Sequence, residues 1–421
     1  MSDKFIIKGG KPLKGEIEVR GYKNAAGAVL AASLLTNKEV VIDNLPLVED
    51  VFTLIDILKD MGVEIEWKGK RKIKVKAGSK IDPNKIDPEK MPKTRISVLL
   101  IGALIPRFKD FKIIHPGGDR IGIRPITTHL EALKKLGVDI IGKGDFYYFK
   151  TKNLQGNEIT LREFSVTATE NLMMAASLAN GRTIIKGAAV EPQIQDLGKM
   201  LNNMGAKISG LETHTIVIDG VKELKGTSHE IIPDPSETGT FIVLSAITPG
   251  KVKIKNINTD HLDIFLDKLK EMGVNFKIGN NNIVVDYSPN LKPVKIQSLP
   301  FPGFPTDLLP PVVSLLTQAD GRSLIHDPLY ENRFSHLQEM RKMGADIEIV
   351  DPHRALIFGK TPLKGLTIES WDIRAGAALI IAALLAQGKT TIGNIYQIDR
   401  GYEKIEERLQ RLGADIKRVK A

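Results

Sequence analysis

Apolar and polar positions along this chain follow a pattern that repeats. A helical stretch with an apolar stripe ends in a short phrase, and the phrase recurs as LKDMGVEIE at 58–66, LKKLGVDII at 133–141, LNNMGAKIS at 201–209, LKEMGVNFK at 269–277, MRKMGADIE at 340–348 and LQRLGADIK at 409–417. Each reads as a helix end, a glycine just past it and the start of an alternating strand. A second phrase precedes each of these: SLLTNKEVVIDN, ALIPRFKDFKIIH, SLANGRTIIKG, SAITPGKVKIKN, TQADGRSLIHD and LLAQGKTTIGN. It reads as the end of a small-residue helix, a polar turn and a short strand. The first copy can be read whole. EIEV is a strand, NAAGAVLAASLL a helix, EVVID a strand, VEDVFTLIDILKDMG a helix, and VEIEW and KIKVKA two more strands. The pattern predicts βαβαββ, six times over, at intervals of roughly 70 residues.

A unit of this size cannot bury both faces of its own helices, so the copies must share cores. Six copies predict an α/β protein of two domains with three copies each. The break is expected at HEIIPDPSETG, 229–239. Because a strand precedes the first full helix, the N-terminal strand is expected to belong to the other domain. The boundaries are then 1–21 plus 233–421 for one domain and 22–232 for the second, with two crossings, near Gly21 and Pro233, that form a hinge.

Composition narrows the chemistry. The 421 residues contain no cysteine, which excludes disulfides, thiolate metal sites and cysteine nucleophiles. The eight histidines show no ligand spacing, so no metal is expected. MSDKFIIKGG is not a signal peptide, and AGAALIIAALLA, Ala375 to Ala386, is too short to span a bilayer. A cytoplasmic protein is expected. The net charge of +10 fits an anionic partner or a lysine-rich surface, and the even spread of lysines leaves both open.

Candidate chemistry lies where one copy departs from the others. Lys23 and Asn24 stand at the start of the first small-residue helix, Arg95 at the next equivalent start, Asp307 before the fifth, and Asp372 and Arg374 at the sixth. Helix N-termini favour anions, and a lysine or arginine there strengthens the effect. For Lys23 and Arg95 the same positions also suit an ordinary surface cation. YENRFSH adds Arg333 and IDRGY adds Arg400. Cations gathered around two or three acids, facing a shared cleft, suit a substrate with phosphate and carboxylate groups, with the acids moving protons. His129 has either an orienting or a structural role. No P-loop, GxGxxG, HExxH or GxSxG motif is present.

The strings GYKNAAGAVLAASLL, PGGDRIGIRPITTHL, TENLMMAASLANGRT, ETGTF, FPTDL, ENRFSH, DIRAG and IDRGYEKIEERLQRLGADI occur in this order along essentially the whole chain. In them the chain resembles the enolpyruvyl transferases, and among these the branch that acts on UDP-N-acetylglucosamine. The DKSISHR and GNAGTAMR strings of the shikimate 3-phosphate branch are missing. The resemblance implies a two-domain inside-out α/β barrel, with phosphoenolpyruvate and UDP-N-acetylglucosamine as substrates, no cofactor and a place at the start of peptidoglycan synthesis; the sequence does not fix the oligomeric state, and a monomer is the expectation. A shikimate 3-phosphate acceptor, or a catalytically silent anion-binding paralogue, are the alternatives.

By position, the resemblance implies that Lys23 contacts phosphoenolpyruvate and Asn24 the sugar nucleotide. It sets Arg95, Arg124 and Arg400 around the phosphate and reacting centre. Asp307 takes the proton of the sugar 3′-hydroxyl, and Asp372 and Arg374 form a further pair, with Arg374 beside the enolpyruvyl carboxylate. Arg333, Leu329, Pro125, Ile126, Thr127, Thr128, His129, Ser165, Val166 and Thr167 are expected at the substrates. Residues 115–125 match a mobile lid, in which Asp119 falls where most members carry the cysteine that fosfomycin alkylates. Asp119 is therefore expected to be the proton donor and the chain to resist fosfomycin. Thr127, Thr128, Thr167, Tyr22 and Arg20 depart from the family strings.

Overall fold

The computed structural model describes residues 3–119 and 121–420. The chain forms two compact units. One runs to Arg20, resumes at Pro233 and takes in Ile121–Ile123; the other holds Gly21–Asp119 and Arg124–Ile232. Each unit contains three sheets.

Five of the sheets have four strands and share one order. The strand after the small-residue helix pairs parallel with a short strand and antiparallel with the last strand of the copy. That last strand pairs antiparallel with the third. Glu158–Thr160, Arg182–Lys186, Thr215–Asp219 and Lys207–Ser209 show this arrangement within one continuous copy. The sixth sheet has three strands, Asp110–Ile114, Phe146–Thr151 and Val138–Lys143. Its missing short strand corrects the expectation of six identical copies. The stretch KIDPNKIDPEKMPKT carries Pro83, Pro88 and Pro92, which lack the N–H a ladder needs, and Pro83–Lys85 is a 3-10 turn beside Asp110–Ile114.

The first copy differs from its reading as one continuous βαβαββ piece. Leu13–Glu18, which contains most of EIEV, does not pair with Glu39–Asp43 of its own copy. It lies parallel to Gly250–Lys255, with Ile17 opposite Ile254. Its place beside Glu39–Asp43 is taken by Ser228–Glu230, with His229 opposite Ile42. Lys4–Lys8 likewise completes the sixth copy. It sits between Lys389–Gly393 and Asp415–Val419, with Phe5 opposite Ile392 and Ile7 opposite Ile416. Alternation fixes which face of a strand is buried but leaves the pairing partner undetermined.

The small-residue helices form the inside of each unit. Pro235–Ile247, Leu309–Leu316 and Ile373–Leu385 pack on one another in the first unit, and Leu100–Leu104 packs on Val166–Ala176 and Lys23–Ala32 in the second. Ile373–Leu385 is helical because alanine and leucine dominate it, and Asp372 starts it by accepting the N–H groups of Arg374 and Ala375, both at 2.9 Å. Every residue from Ile373 to Leu384 is buried. Each fully buried leucine or isoleucine there contributes about 1.5–3 kcal/mol. Close approach needs glycine. A Cβ on Gly102 would fall 2.3 Å from the backbone oxygen of Asn171. The glycines of the recurring helix-end phrase all have positive φ, from 84° at Gly273 to 103° at Gly344. Among the described residues no helix is long and apolar enough to cross a membrane.

Candidate active site

In the second unit the site residues gather at helix starts. Lys23 opens the helix Lys23–Ala32 and is 8% exposed, its Nζ 2.9 Å from Oδ2 of the buried Asp50. It is therefore not a surface lysine. Asn24 donates to the Tyr22 hydroxyl at 3.1 Å. The 3-10 turn Arg95–Leu99 packs against the same helix at Gly27, where a Cβ would meet Ile96 at 3.0 Å.

The loop backbone reaches the arginines. A Cβ on Gly118 (φ 130°) would lie 2.8 Å from the Arg95 Cβ and 3.2 Å from an Arg124 Nη1. Asp119, next in the chain, is half-buried. His129 is buried, and its Nε2 lies 2.7 Å from the Thr167 hydroxyl. Burial, then the charge of Arg95, pushes the imidazole down to about 3, so it is neutral at physiological pH. Thr128 donates to Glu163 at 2.8 Å, and Ser165 caps the helix Val166–Ala176. Two of the threonines that depart from the family strings thus have side-chain partners of their own. Pro125 and Thr127 are exposed, Ile126 is buried and Val166 is half-buried.

In the first unit one carboxylate organises the site. Asp307 lies in the 3-10 turn Thr306–Leu308 that leads into Leu309–Leu316. Its Oδ1 accepts from Arg333 Nη2 at 2.7 Å, and its Oδ2 accepts from Arg374 Nε at 3.1 Å. Arg333 is 2% and Arg374 4% exposed. Burial works against the Arg333 charge, but Asp307, Asp372 and Asp327 outweigh it and raise its pKa above the ordinary value. Ser335 donates to Asp372 Oδ2 at 3.3 Å, tying the Arg333 loop to the start of the sixth small-residue helix. Arg400 is buried and donates to Gln397 Oε1 at 2.9 Å. Leu329 is exposed, and its N–H is held by Asp327 at 3.0 Å. Beside Arg333, the Ile123 N–H donates to Glu331 Oε1 at 2.8 Å and the Asn332 N–H to the Ile121 carbonyl at 3.2 Å.

Several partners escaped the sequence reading. Asp50 sits in VEDV, which reads only as an acidic first turn. Asp234 caps Pro235–Ile247, and burial raises its pKa to about 6 against the pull of Arg374. The D-P-S-E spacing was an available signal for it. Glu237 of that string accepts the Arg20 N–H at 2.8 Å and pairs with the buried Arg408. Tyr402 lies within IDRGY, and its hydroxyl meets Arg374 at 3.1 Å. Among the described residues no group of three or more histidines and acids could hold a metal ion.

The buried Lys23 on Asp50, and the buried Arg333 and Arg374 on Asp307, suit a doubly anionic substrate and proton transfer. Comparison with known proteins points the same way. The family model for EPSP synthase (3-phosphoshikimate 1-carboxyvinyltransferase) matches residues 7–409. UDP-N-acetylglucosamine 1-carboxyvinyltransferase 2 of Clostridium tetani is 45% identical over 418 residues, covering 99% of this chain and 100% of its own. UDP-N-acetylglucosamine 1-carboxyvinyltransferase of Koribacter versatilis is 42% identical, covering 99% and 96%. Among solved structures, the enolpyruvyl transferase NikO from Streptomyces tendae superposes with a TM-score of 0.91 at 23% identity, over 100% of both chains. EPSP synthase from Acinetobacter baumannii gives 0.75 at 21% identity, over 99% of this chain and 100% of its own. The fold is thus that of the enolpyruvyl transferases, and the chain belongs to the family of 1-carboxyvinyl (enolpyruvyl) transferases in which EPSP synthase and the UDP-N-acetylglucosamine 1-carboxyvinyltransferases are found.

Proposed function

We propose that this chain transfers the enolpyruvyl group of phosphoenolpyruvate to the 3′-hydroxyl of UDP-N-acetylglucosamine and releases phosphate, in the cytoplasm, as the step that commits the sugar nucleotide to peptidoglycan. The observation that carries the reading is Asp307 held between Arg333 and Arg374, in a chain 42–45% identical along its length to relatives named for this reaction.

In this reading Lys23, Arg124 and Arg400 take the phosphate of phosphoenolpyruvate, and Arg374 takes its carboxylate. Arg95 supports the phosphate group. Asn24, Leu329, Arg333 and the residues 125–129 and 165–167 hold the sugar nucleotide. Asp307 accepts the proton of the 3′-hydroxyl as that oxygen attacks C2 of phosphoenolpyruvate, while Asp119 gives a proton to C3. The product is a tetrahedral phosphoketal. Loss of a proton from C3 back to Asp119 and departure of phosphate from C2 then leave the enol ether. The cations stabilise charge building on the departing phosphate.

Two guanidiniums hold Asp307 through both of its carboxylate oxygens. When an anionic substrate draws them away, the carboxylate oxygens are released to accept the hydroxyl proton, so binding prepares the proton transfer. Asp372 holds the Arg374 backbone and the Ser335 hydroxyl, and so fixes the carboxylate end of the site. Asp119 serves as acid in place of the thiol that most family members carry.

The test is phosphate release from phosphoenolpyruvate with UDP-N-acetylglucosamine, with shikimate 3-phosphate, and with no acceptor. Release with the first alone is expected. Release with shikimate 3-phosphate alone overturns the choice of acceptor, and none with either overturns the activity.

A further inference from the structure

We infer that Tyr402 is a positioning residue for the transfer, and that its buried hydroxyl sets the orientation in which Arg374 receives the phosphoenolpyruvate carboxylate. The inference rests on the reading of Arg374 given above.

Tyr402 is completely buried, and its hydroxyl has two neighbours. The Thr240 hydroxyl is 2.8 Å away, and Arg374 Nη1 is 3.1 Å away. The direction of the first bond follows from its surroundings. Thr240 spends its own hydrogen on the Ser236 carbonyl, at 2.8 Å. Tyr402 must therefore donate to Thr240, which leaves a phenolic lone pair for Arg374. Burial, against the opposing charge of Arg374, raises the phenol pKa and keeps that hydrogen in place. The guanidinium carbon also lies 5.4 Å from the centre of the Tyr402 ring, within cation–π range.

The fork of Arg374 is thereby held on two sides. Nε and Nη2 face Asp307, each 3.1 Å from Oδ2, and Nη1 faces Tyr402. Asp307 must turn its carboxylate to the sugar hydroxyl when it acts as base. Tyr402 takes no part in that exchange, and its own anchor runs back to the main chain of Pro235–Ile247 through Thr240. A guanidinium anchored in this way meets a planar carboxylate in one orientation.

The test compares wild type, Tyr402→Phe and Thr240→Val. The first variant removes one oxygen and keeps the ring; the second leaves the phenolic hydrogen without its acceptor. Tyr402→Phe is expected to raise KM for phosphoenolpyruvate about tenfold with little change in kcat, because the carboxylate contact is made equally in ground and transition states. KM for UDP-N-acetylglucosamine is expected to stay as it is. Thr240→Val should move the same constant in the same direction, by less. In a double-mutant cycle, Tyr402→Phe added to Arg374→Lys should cost much less than it does alone.

An unaltered KM for phosphoenolpyruvate in Tyr402→Phe overturns the inference, and so does additivity in the cycle or an equal loss for both substrates. Calorimetric titration of phosphoenolpyruvate, with and without the sugar nucleotide, separates this from the reaction assignment. If wild type binds phosphoenolpyruvate yet releases no phosphate, the acceptor reading fails. About tenfold weaker binding by Tyr402→Phe then still supports the tyrosine, and equal binding overturns it. A wild type that does not bind phosphoenolpyruvate at all overturns both.

Discussion

Replacing Asp307 with asparagine removes one negative charge from between two guanidiniums. In the wild type its oxygens lie 2.7 Å from Arg333 and 3.1 Å from Arg374. Removing one partner of a fully buried pair costs about 3–5 kcal/mol, because the other charge stays uncompensated. Asp307 keeps 29% of its side chain exposed, so water screens part of the loss, and about 1–3 kcal/mol of stability is the expected cost. Turnover should suffer far more. An amide cannot accept the hydroxyl proton, and a missing general base costs about 10²–10⁴-fold in kcat. Binding should move the other way. The two guanidiniums are left without their carboxylate, so KM for phosphoenolpyruvate should not rise, and added phosphoenolpyruvate should stabilise the variant more than the wild type. Urea unfolding with and without the substrate, beside steady-state phosphate release, reads all three effects. A kcat within about threefold of wild type refutes the base role. A large rise in KM with kcat preserved would make Asp307 a binding residue.

The remaining predictions concern the loop, the buried histidines and the helix interior. Asp119→Cys should stay active and gain a covalent fosfomycin adduct at residue 119 by mass spectrometry, whereas the wild type should resist, since a carboxylate is a poor nucleophile toward an epoxide; rapid covalent inactivation of the wild type contradicts this. His129 and His336 are both buried and depressed to about 3 from 6.5, so the unfolded chain binds more protons than the folded one between those values. Stability is full above pH 6.5 and is lost as pH falls toward 3, by an upper figure of about 4 kcal/mol per histidine; His336→Gln should flatten that acid limb in denaturation curves, and an unchanged slope excludes the histidine as its source. Gly102→Ala should destabilise by about 1–3 kcal/mol through the clash with the Asn171 backbone, and a melting temperature equal to wild type would show that the helices can part without cost.

The sixfold plan was legible because helix ends are written locally. A glycine after an apolar stripe announces its φ, and Gly62 through Gly413 all adopt it. The charged helix starts were legible for the same reason, as departures from a repeated pattern. Partnership across the chain was not. Nothing in VEDV says that Asp50 will meet Lys23, or in RGY that Tyr402 will meet Arg374, because the first contact joins two helices and the second joins a turn to a helix from another part of the chain. The missing strand of the second copy was written in its prolines, a signal that the recurring phrases overshadowed. The pairing of Leu13–Glu18 with Gly250–Lys255 had no local signature at all, since any sheet with a free edge of the same polarity offers an equivalent seat.

That exchange of strands bears on how the protein is made. Lys4–Lys8 is synthesised long before one of its two neighbours, Asp415–Val419. At about 5–20 residues per second, the opening strand waits roughly 20–80 s with an unfilled edge. The unit containing Gly21–Asp119 has all its described strands by Glu230 and can close during synthesis, while the other cannot finish until Asp415–Val419 has been made. Meeting in one sheet also leaves these two strands side by side, with Lys4 opposite Val419. A short linker between them, with new termini opened at an exposed turn such as Gly144, is a natural route to a permuted chain in which the waiting strand is made directly after its partner.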